Sequence, residues 1–305
     1  ADETLRIWEV ASGRPFKTVK FDSIVTAVAW NPMHALLSVA AEEAVFFLDP
    51  GLETPLPVPT VEEVEAKKEG AEGGKAADGE NAEGKAEEPP PITVATLLAP
   101  EGMEVPEEAE NDGAKARAVR WKPVTEDMPL YASGCRIMIS TDCDVQQLTW
   151  HPKGNYCAAV SPKAKAPSNQ CIIHALKQRK SMRPFTKVKG GQIQSCAFHP
   201  TKPHFFVATK TSVRVYDLQK QIPLKQLVSG AKWIASVTLH PGGDNIVAGS
   251  YDRRMVWFDL DFGSKPYKTL QYHDRAVRRV AFHPGNYPLL AAASDDGTVS
   301  ILHAK

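Results

Sequence analysis

The chain has 305 residues, 43% of them hydrophobic, which is too apolar for a chain disordered throughout; no apolar run approaches the roughly 18 residues of a membrane span, and the first residues do not resemble a signal peptide. Its five cysteines (Cys135, Cys143, Cys157, Cys171, Cys196) form no CxxC pair, which argues against zinc and disulfide frameworks and reads as reduced thiols of the cytoplasm or nucleus. The 36 basic and 36 acidic residues cancel, but the zero hides a division: Thr60 to Arg117 holds 16 acidic and 6 basic residues, so the rest of the chain is a basic body suited to polyanions.

Along the chain, residues 4–20 read as two strands behind an acidic turn, beginning "DETLRIWE". Strands follow at 24–30, 35–41 and 44–48, and the next strand of that set is expected only at 136–140. Between them, residues 50–135 read as a low-complexity acidic insertion in a loop. Its Glu, Ala, Gly, Lys and Pro content cannot bury enough surface to fold alone, so disorder is expected from roughly Thr60 to Lys115. Its one apolar piece, "ITVATLL" (92–98), is expected to dock on the body. "VRWKP" (119–123) lies too close to the following motif to begin another four-stranded unit.

The rest of the chain repeats. A short alternating strand ending in an aromatic or leucine, then His or Asn, then Pro, appears as "VAWNP" (28–32), "LTWHP" (148–152), "CAFHP" (196–200), "VTLHP" (237–241) and "VAFHP" (280–284). Proline cannot donate to a ladder, so each one ends its strand. Two further apolar runs follow each copy. The prolines are spaced by 120, 48, 41 and 43 residues, and the last three spacings match the roughly 40–45-residue period of WD-repeat propeller blades. The first spacing is long by the acidic stretch. "SDDGTVSILH" (294–303) and "SYDRRMVWFD" (250–259) fill the blade's Ser-x-Asp-x-Thr turn and third strand. The expected fold is therefore an all-β WD-repeat β-propeller over residues 1–305, without a long helix and incomplete at both ends. The full ring is expected to have seven blades, with a closed five-blade ring as the weaker alternative. Blades three to six begin near 145, 192, 233 and 276.

Several strings are more specific than the repeat. Residues 232–303, containing "GSYDRRMVWFDLD" followed by "KPYKTL", resemble the C-terminal propeller of the block-of-proliferation family, the eukaryotic ribosome biogenesis WD-repeat proteins. "SGRPFKTV" after "LRIWEV", and "SVRVYDLQKQ" with "QIQSCAFHP", are similar to the same family. The resemblance implies a non-catalytic scaffold of large (60S) subunit assembly and precursor rRNA maturation, in the nucleolus and nucleoplasm. It also implies as partners a pescadillo-family protein, a WD-repeat protein with a ubiquitin-like domain, and the pre-60S particle. The alternatives are a peptide-binding adaptor unrelated to ribosomes and an enzyme hosted on a propeller. The innermost strands, mostly Val, Ala, Ile and Gln, offer that enzyme no converging catalytic groups.

No cofactor, metal or membrane contact is expected. The loops on one face carry Lys210, Lys232, Trp233, Arg253, Arg254 and Arg275, and Arg278 and Arg279 follow at the start of an innermost strand; all are candidates for holding phosphates and stacking a base of precursor rRNA. The competing structural reading packs Trp233 between blades and pairs the arginines with Asp244, Asp274 and Asp295. The opposite face offers a second basic loop with Lys177, Arg179, Lys180 and Arg183. Asp252, and Asp296 with His273, are expected to be structural turn residues.

Overall fold

The computed structural model describes residues 3–51, 94–99, 119–185, 190–285 and 287–304. Their architecture is six antiparallel sheets (I to VI in chain order). Sheet I pairs β1 (Thr4–Glu9) with β2 (Arg14–Lys20). Sheet II begins with β3 (Val25–Trp30), β4 (Leu37–Ala41) and β5 (Ala44–Leu48). Helix α1 (Val94–Leu98), strand β6 (Val119–Pro123), helix α2 (Pro129–Ala132) and strand β7 (Cys135–Thr141) come next. The order within sheet II is β3-β4-β5-β7-β6.

Sheets III to V are four-stranded meanders. Sheet III holds β8 (Gln147–Trp150), β9 (Tyr156–Val160), β10 (Cys171–Ala175) and β11 (Lys180–Met182). Sheet IV holds β12 (Ser195–Phe198), β13 (His204–Ala208), β14 (Ser212–Asp217) and β15 (Ile222–Val228). Sheet V holds β16 (Ile234–Leu239), β17 (Asn245–Ser250), β18 (Met255–Asp259) and β19 (Lys268–Leu270). Sheet VI has three strands, β20 (Val277–Phe282), β21 (Leu289–Ser294) and β22 (Val299–His303).

The first strands β3, β8, β12, β16 and β20 pack side by side in sequence order, so the sheets stand radially around them. An Arg279 Nη2–H bond to the Gln146 carbonyl, 3.3 Å, reaches from sheet VI to the start of sheet III and shows the row curving about a central channel. This is a WD-type β-propeller arrangement, in agreement with the repeat. Second strands are sandwiched between neighbouring sheets, and β4 is buried at every position. Small residues recur there for that reason. A Cβ on Gly249 would lie 3.0 Å from Val277 Cγ1, so a larger residue would press on the Val277 and Val280 side chains of sheet VI. The apolar clusters between sheets form the core.

The recurring His-Pro turn has a specific chemistry. The Nδ1 atoms of His151, His199, His240 and His283 each accept a backbone N–H two residues on, at 3.0–3.2 Å. Asn31 does the same through Oδ1, and its Nδ2–H donates to the Gly154 carbonyl in the next sheet. An Nδ1 that accepts must be unprotonated. Burial also holds His151 and His199 below the usual histidine range.

The insertion needs correction at its C-terminal side. "VRWKP" is not the start of a blade, but neither is it part of a shapeless loop. It forms β6, a fifth strand on the outer edge of sheet II, paired with β7. Trp121 stacks on Phe47, with ring centroids 6.3 Å apart, and donates its Nε1–H to Ser181 Oγ at 2.9 Å, tying sheet II to sheet III. The expected docking of 92–98 is seen for α1, where Leu97 and Leu98 are buried. The rest of the stretch expected to be disordered lies outside the described residues. Among the described residues no helix is long and apolar enough to cross a membrane.

Candidate polyanion-binding channel mouth

Loops leading into the first strands, and those between second and third strands, meet at one end of the channel. The Ser-x-Asp turns shape it. In sheet VI, Asp296 Oδ2 lies 3.0 Å from Nδ1 of the buried His273 and accepts the Asp274 N–H, while Thr298 Oγ1–H donates to Oδ1 at 2.6 Å. The Thr298 hydroxyl foremost, then its N–H, His273 and the Asp274 N–H, hold the Asp296 carboxyl well below the carboxylate range against the opposing cost of its desolvation. In sheet V, Asp252 accepts from Ser250 Oγ and from the Lys232 N–H, with Ala231 in the place of His273. Both aspartates are therefore turn-builders.

These turns present a cation–aromatic ladder. Lys210 Nζ sits 4.1 Å from the Trp233 ring centroid, and Trp233 Nε1–H donates to Gln194 Oε1 at 3.1 Å. Trp233 and Tyr251 pack at 5.3 Å, and the Arg278 guanidinium lies 4.6 Å over Tyr251. Such contacts contribute roughly 0.5–1 kcal/mol each at exposed sites. Arg278 also grips Asp295, with Nη2 at 2.7 Å and Nε 2.8 Å from each carboxylate oxygen, and this pairing draws Asp295 below the usual range. Behind the ladder, Gln146, Gln194, Ala235, Tyr251, Arg278 and Arg279 line a polar cavity of about 190 Å³.

The predicted set thus divides. Lys210, Lys232, Arg253, Arg254, Arg275 and Arg279 are exposed around the mouth. Arg278 is largely neutralised by Asp295, as the structural reading expected. The other expected pairings differ: Asp244 faces His240 at 3.3 Å, and Arg254 stands a loose 3.9 Å from Asp252. Trp233 joins sheets V and IV through Gln194 and stays 39% exposed, so packing and an open ring edge coexist. Arg253 has φ +71°, where the matching turn of sheet VI has Gly297 at +82°. A left-handed arginine costs about 1–2 kcal/mol, and among the described residues no hydrogen bond or ion pair of its side chain offsets that.

On the opposite face the second basic loop needs correction. Arg179 donates from Nη1 to the Leu176 carbonyl and from Nη2 to the Ala99 carbonyl, both at 2.7 Å. Arg183 Nε–H donates to Asn169 Oδ1 at 2.8 Å. Both guanidinium groups serve internal acceptors, leaving Lys177 and Lys180 as exposed charges. Sequence reasoning missed Gln146, Gln194 and Tyr251. Only Tyr251 had a signal, since it fills the x of Ser-x-Asp, where Asp295 stands in sheet VI. Burial pushes the Cys135 and Cys157 thiols up to about 12 and Cys143 up to about 11. Among the described residues no His, Cys, Asp and Glu group could hold a metal ion.

Comparison with known proteins matches residues 222–259 and 264–302 to the WD domain, G-beta repeat. Each matched stretch joins the outermost strand of one sheet to the three inner strands of the next, so the sequence repeat is offset from the blade by one strand. Over 99% of its length the chain is 38% identical to Ribosome biogenesis protein BOP1 of Rattus norvegicus, covering 35% of that protein. It is 37% identical, again over 99% of its length, to bop1 of Danio rerio and to ERB1 of Yarrowia lipolytica, covering 33% and 36% of them. The chain therefore spans about a third of the length of the curated relatives it matches.

Proposed function

From the premise that this chain is homologous, across about a third of their length, to the BOP1/ERB1 ribosome biogenesis proteins, we propose that it is a non-catalytic scaffold in large-subunit assembly. It binds precursor rRNA and other assembly factors within the pre-60S particle, in the nucleolus and nucleoplasm. By family resemblance those factors are a pescadillo-family protein and a WD-repeat protein with a ubiquitin-like domain. Residues 1–305 act as one propeller unit that carries the acidic insertion within it.

The observation that carries the RNA reading is the channel mouth. Five exposed cations on loops of three neighbouring sheets, with Arg279 on strand β20 lining the polar cavity, stand at the mouth beside two half-open aromatic rings. Charges so grouped add to one field, and each phosphate contact releases counterions. Arg253 sharpens the point, because a strained arginine persists where glycine would be easier.

The test is a salt series of precursor rRNA binding by fluorescence anisotropy. Replacing Arg253 and Arg254 with Glu should weaken binding and flatten the salt slope by about one unit for each phosphate no longer neutralised. Arg253→Gly alone should weaken RNA binding yet raise stability by about 1 kcal/mol. Lys177→Glu with Lys180→Glu changes net charge as much as the first double variant, but on the other face. Equal losses in the two double variants would reduce recognition to net charge, and no loss in either would leave the propeller a protein-docking module alone.

A further inference from the structure

Helix α1 is held differently from every strand around it. Among the described residues it joins no ladder. Its grip on the propeller consists of Leu97 and Leu98, 3% and 4% exposed, the half-buried Val94 packed against the same cluster, and one hydrogen bond from Arg179 to the Ala99 carbonyl. The leucines enter the cluster between sheets II and III, where Phe47, Ile139 and Leu176 are fully buried and Trp121 packs against them. Arg179 closes the end of this notch. Its backbone has φ +50° in the turn between β10 and β11, and its guanidinium spans from the Leu176 carbonyl of that turn to Ala99. Burial draws its pKa below the ordinary arginine value, a mark of how far the charged head is pulled in.

A fork satisfying one acceptor of the body and one of the docked segment is the geometry of a clamp. A helical turn this short is not stable by itself in water, so the notch imposes its conformation.

We propose that the notch between the outer parts of sheets II and III is a peptide-docking site for a short helical turn with two adjacent leucines, occupied in cis by residues 94–99 and clamped by Arg179. The occupant is separable from the propeller: it is tethered through residues 52–93 and 100–118 and held by side-chain burial and one charge-assisted bond. As a tethered ligand it occupies its site at an effective concentration on the order of millimolar. The same peptide supplied in solution is therefore excluded until the cis copy leaves.

The experiment uses the full chain and a fluorescent peptide of residues 92–100. Leu97→Asp with Leu98→Asp empties the notch. The labelled peptide should then bind saturably, and at least tenfold more tightly than to the unaltered chain. Adding Arg179→Ala to the emptied chain should weaken the peptide about tenfold, the equivalent of one charge-assisted hydrogen bond at about 1.4 kcal/mol per decade. A folded, emptied chain that ignores the peptide overturns the proposal. In case the aspartates prevent folding, a second arm inserts protease sites within 76–84 and 106–112 of the otherwise unaltered chain. After cleavage, excess unlabelled peptide should displace the excised fragment on gel filtration, and a fragment retained against that excess overturns the proposal. No RNA enters either arm, so failure here leaves the scaffold reading standing, and failure of that reading leaves the docking site standing.

Discussion

Two histidines show how one residue type carries different loads. His273 is buried against Asp296 at 3.0 Å. Replacing Asp296 with Ala removes its partner and three further hydrogen bonds of the turn. A loss of about 1–3 kcal/mol is expected, read as a lower melting temperature with RNA affinity unchanged in the folded protein. A variant that melts normally but loses RNA would make this aspartate a contact residue. His174, within β10, is 0% exposed, with Nδ1 2.9 Å from Ser181 Oγ, and burial pushes its pKa down to about 3. The folded protein thus keeps His174 neutral while the unfolded chain takes up a proton below about pH 6.5. Stability is fully present above that pH and falls as pH drops toward 3, by up to about 1.4 kcal/mol per unit. Denaturant midpoints of the protein and of His174→Phe, measured from pH 7.5 to 4.5, should diverge in that direction. Parallel curves would show that other groups carry the acid sensitivity.

Strand β6 is the element whose role was hardest to read. Its sequence, VRWKP, copies the form of a first strand, and its distance from the next motif correctly bars it from founding a blade. Nothing in a local pattern says that a strand will add to the outer edge of a sheet whose preceding strand β5 ended some 70 residues earlier. That pairing depends on β7 lying between β5 and β6. The inner strands were legible because a buried second strand, a His-Pro turn and a Ser-x-Asp turn each leave marks within a few residues. At the mouth, the cations were legible by loop position, whereas Gln146 and Gln194 were not. Glutamine at a strand start is ordinary until a channel forms beside it. Because the half-buried Trp121 stacks on Phe47 and bonds to Ser181 across two sheets, Trp121→Ala should cost about 2–3 kcal/mol, less than a fully buried tryptophan would. Excising 60–90 should cost less than 1 kcal/mol. Thermal unfolding of the two variants separates blade from loop, and equal losses would contradict the assignment of β6 to the blade.

At the scale of the whole molecule, the uncharged total conceals a basic ring of loops at one end of a channel and an acidic stretch inserted into one sheet. The other end of the channel differs in kind. There the prolines of three repeat turns, with Trp150, Phe198 and Leu239, line a cavity of about 240 Å³. The two ends therefore differ in chemistry: one is lined by glutamine, tyrosine and arginine, the other by a mixture of apolar side chains with Gln147, Thr149, Thr238 and His240.

Strand β7 also has a consequence for time. Each strand within sheets III to VI finds its neighbour after a short connection, but β7 must find β5 across all the chain between Leu48 and Cys135. Closing that loop is about four doublings longer than closing a hairpin, an entropic handicap of roughly 2.4 kcal/mol. Sheets III to V can form from local contacts while sheet II still lacks its fourth strand, so the last event of refolding should be the capture of β7. Removing 60–90 should then quicken the slowest refolding phase about twofold, measured by stopped-flow fluorescence. The insertion would be the clock of assembly: whatever shortens it, or pins it early, sets when the propeller is ready.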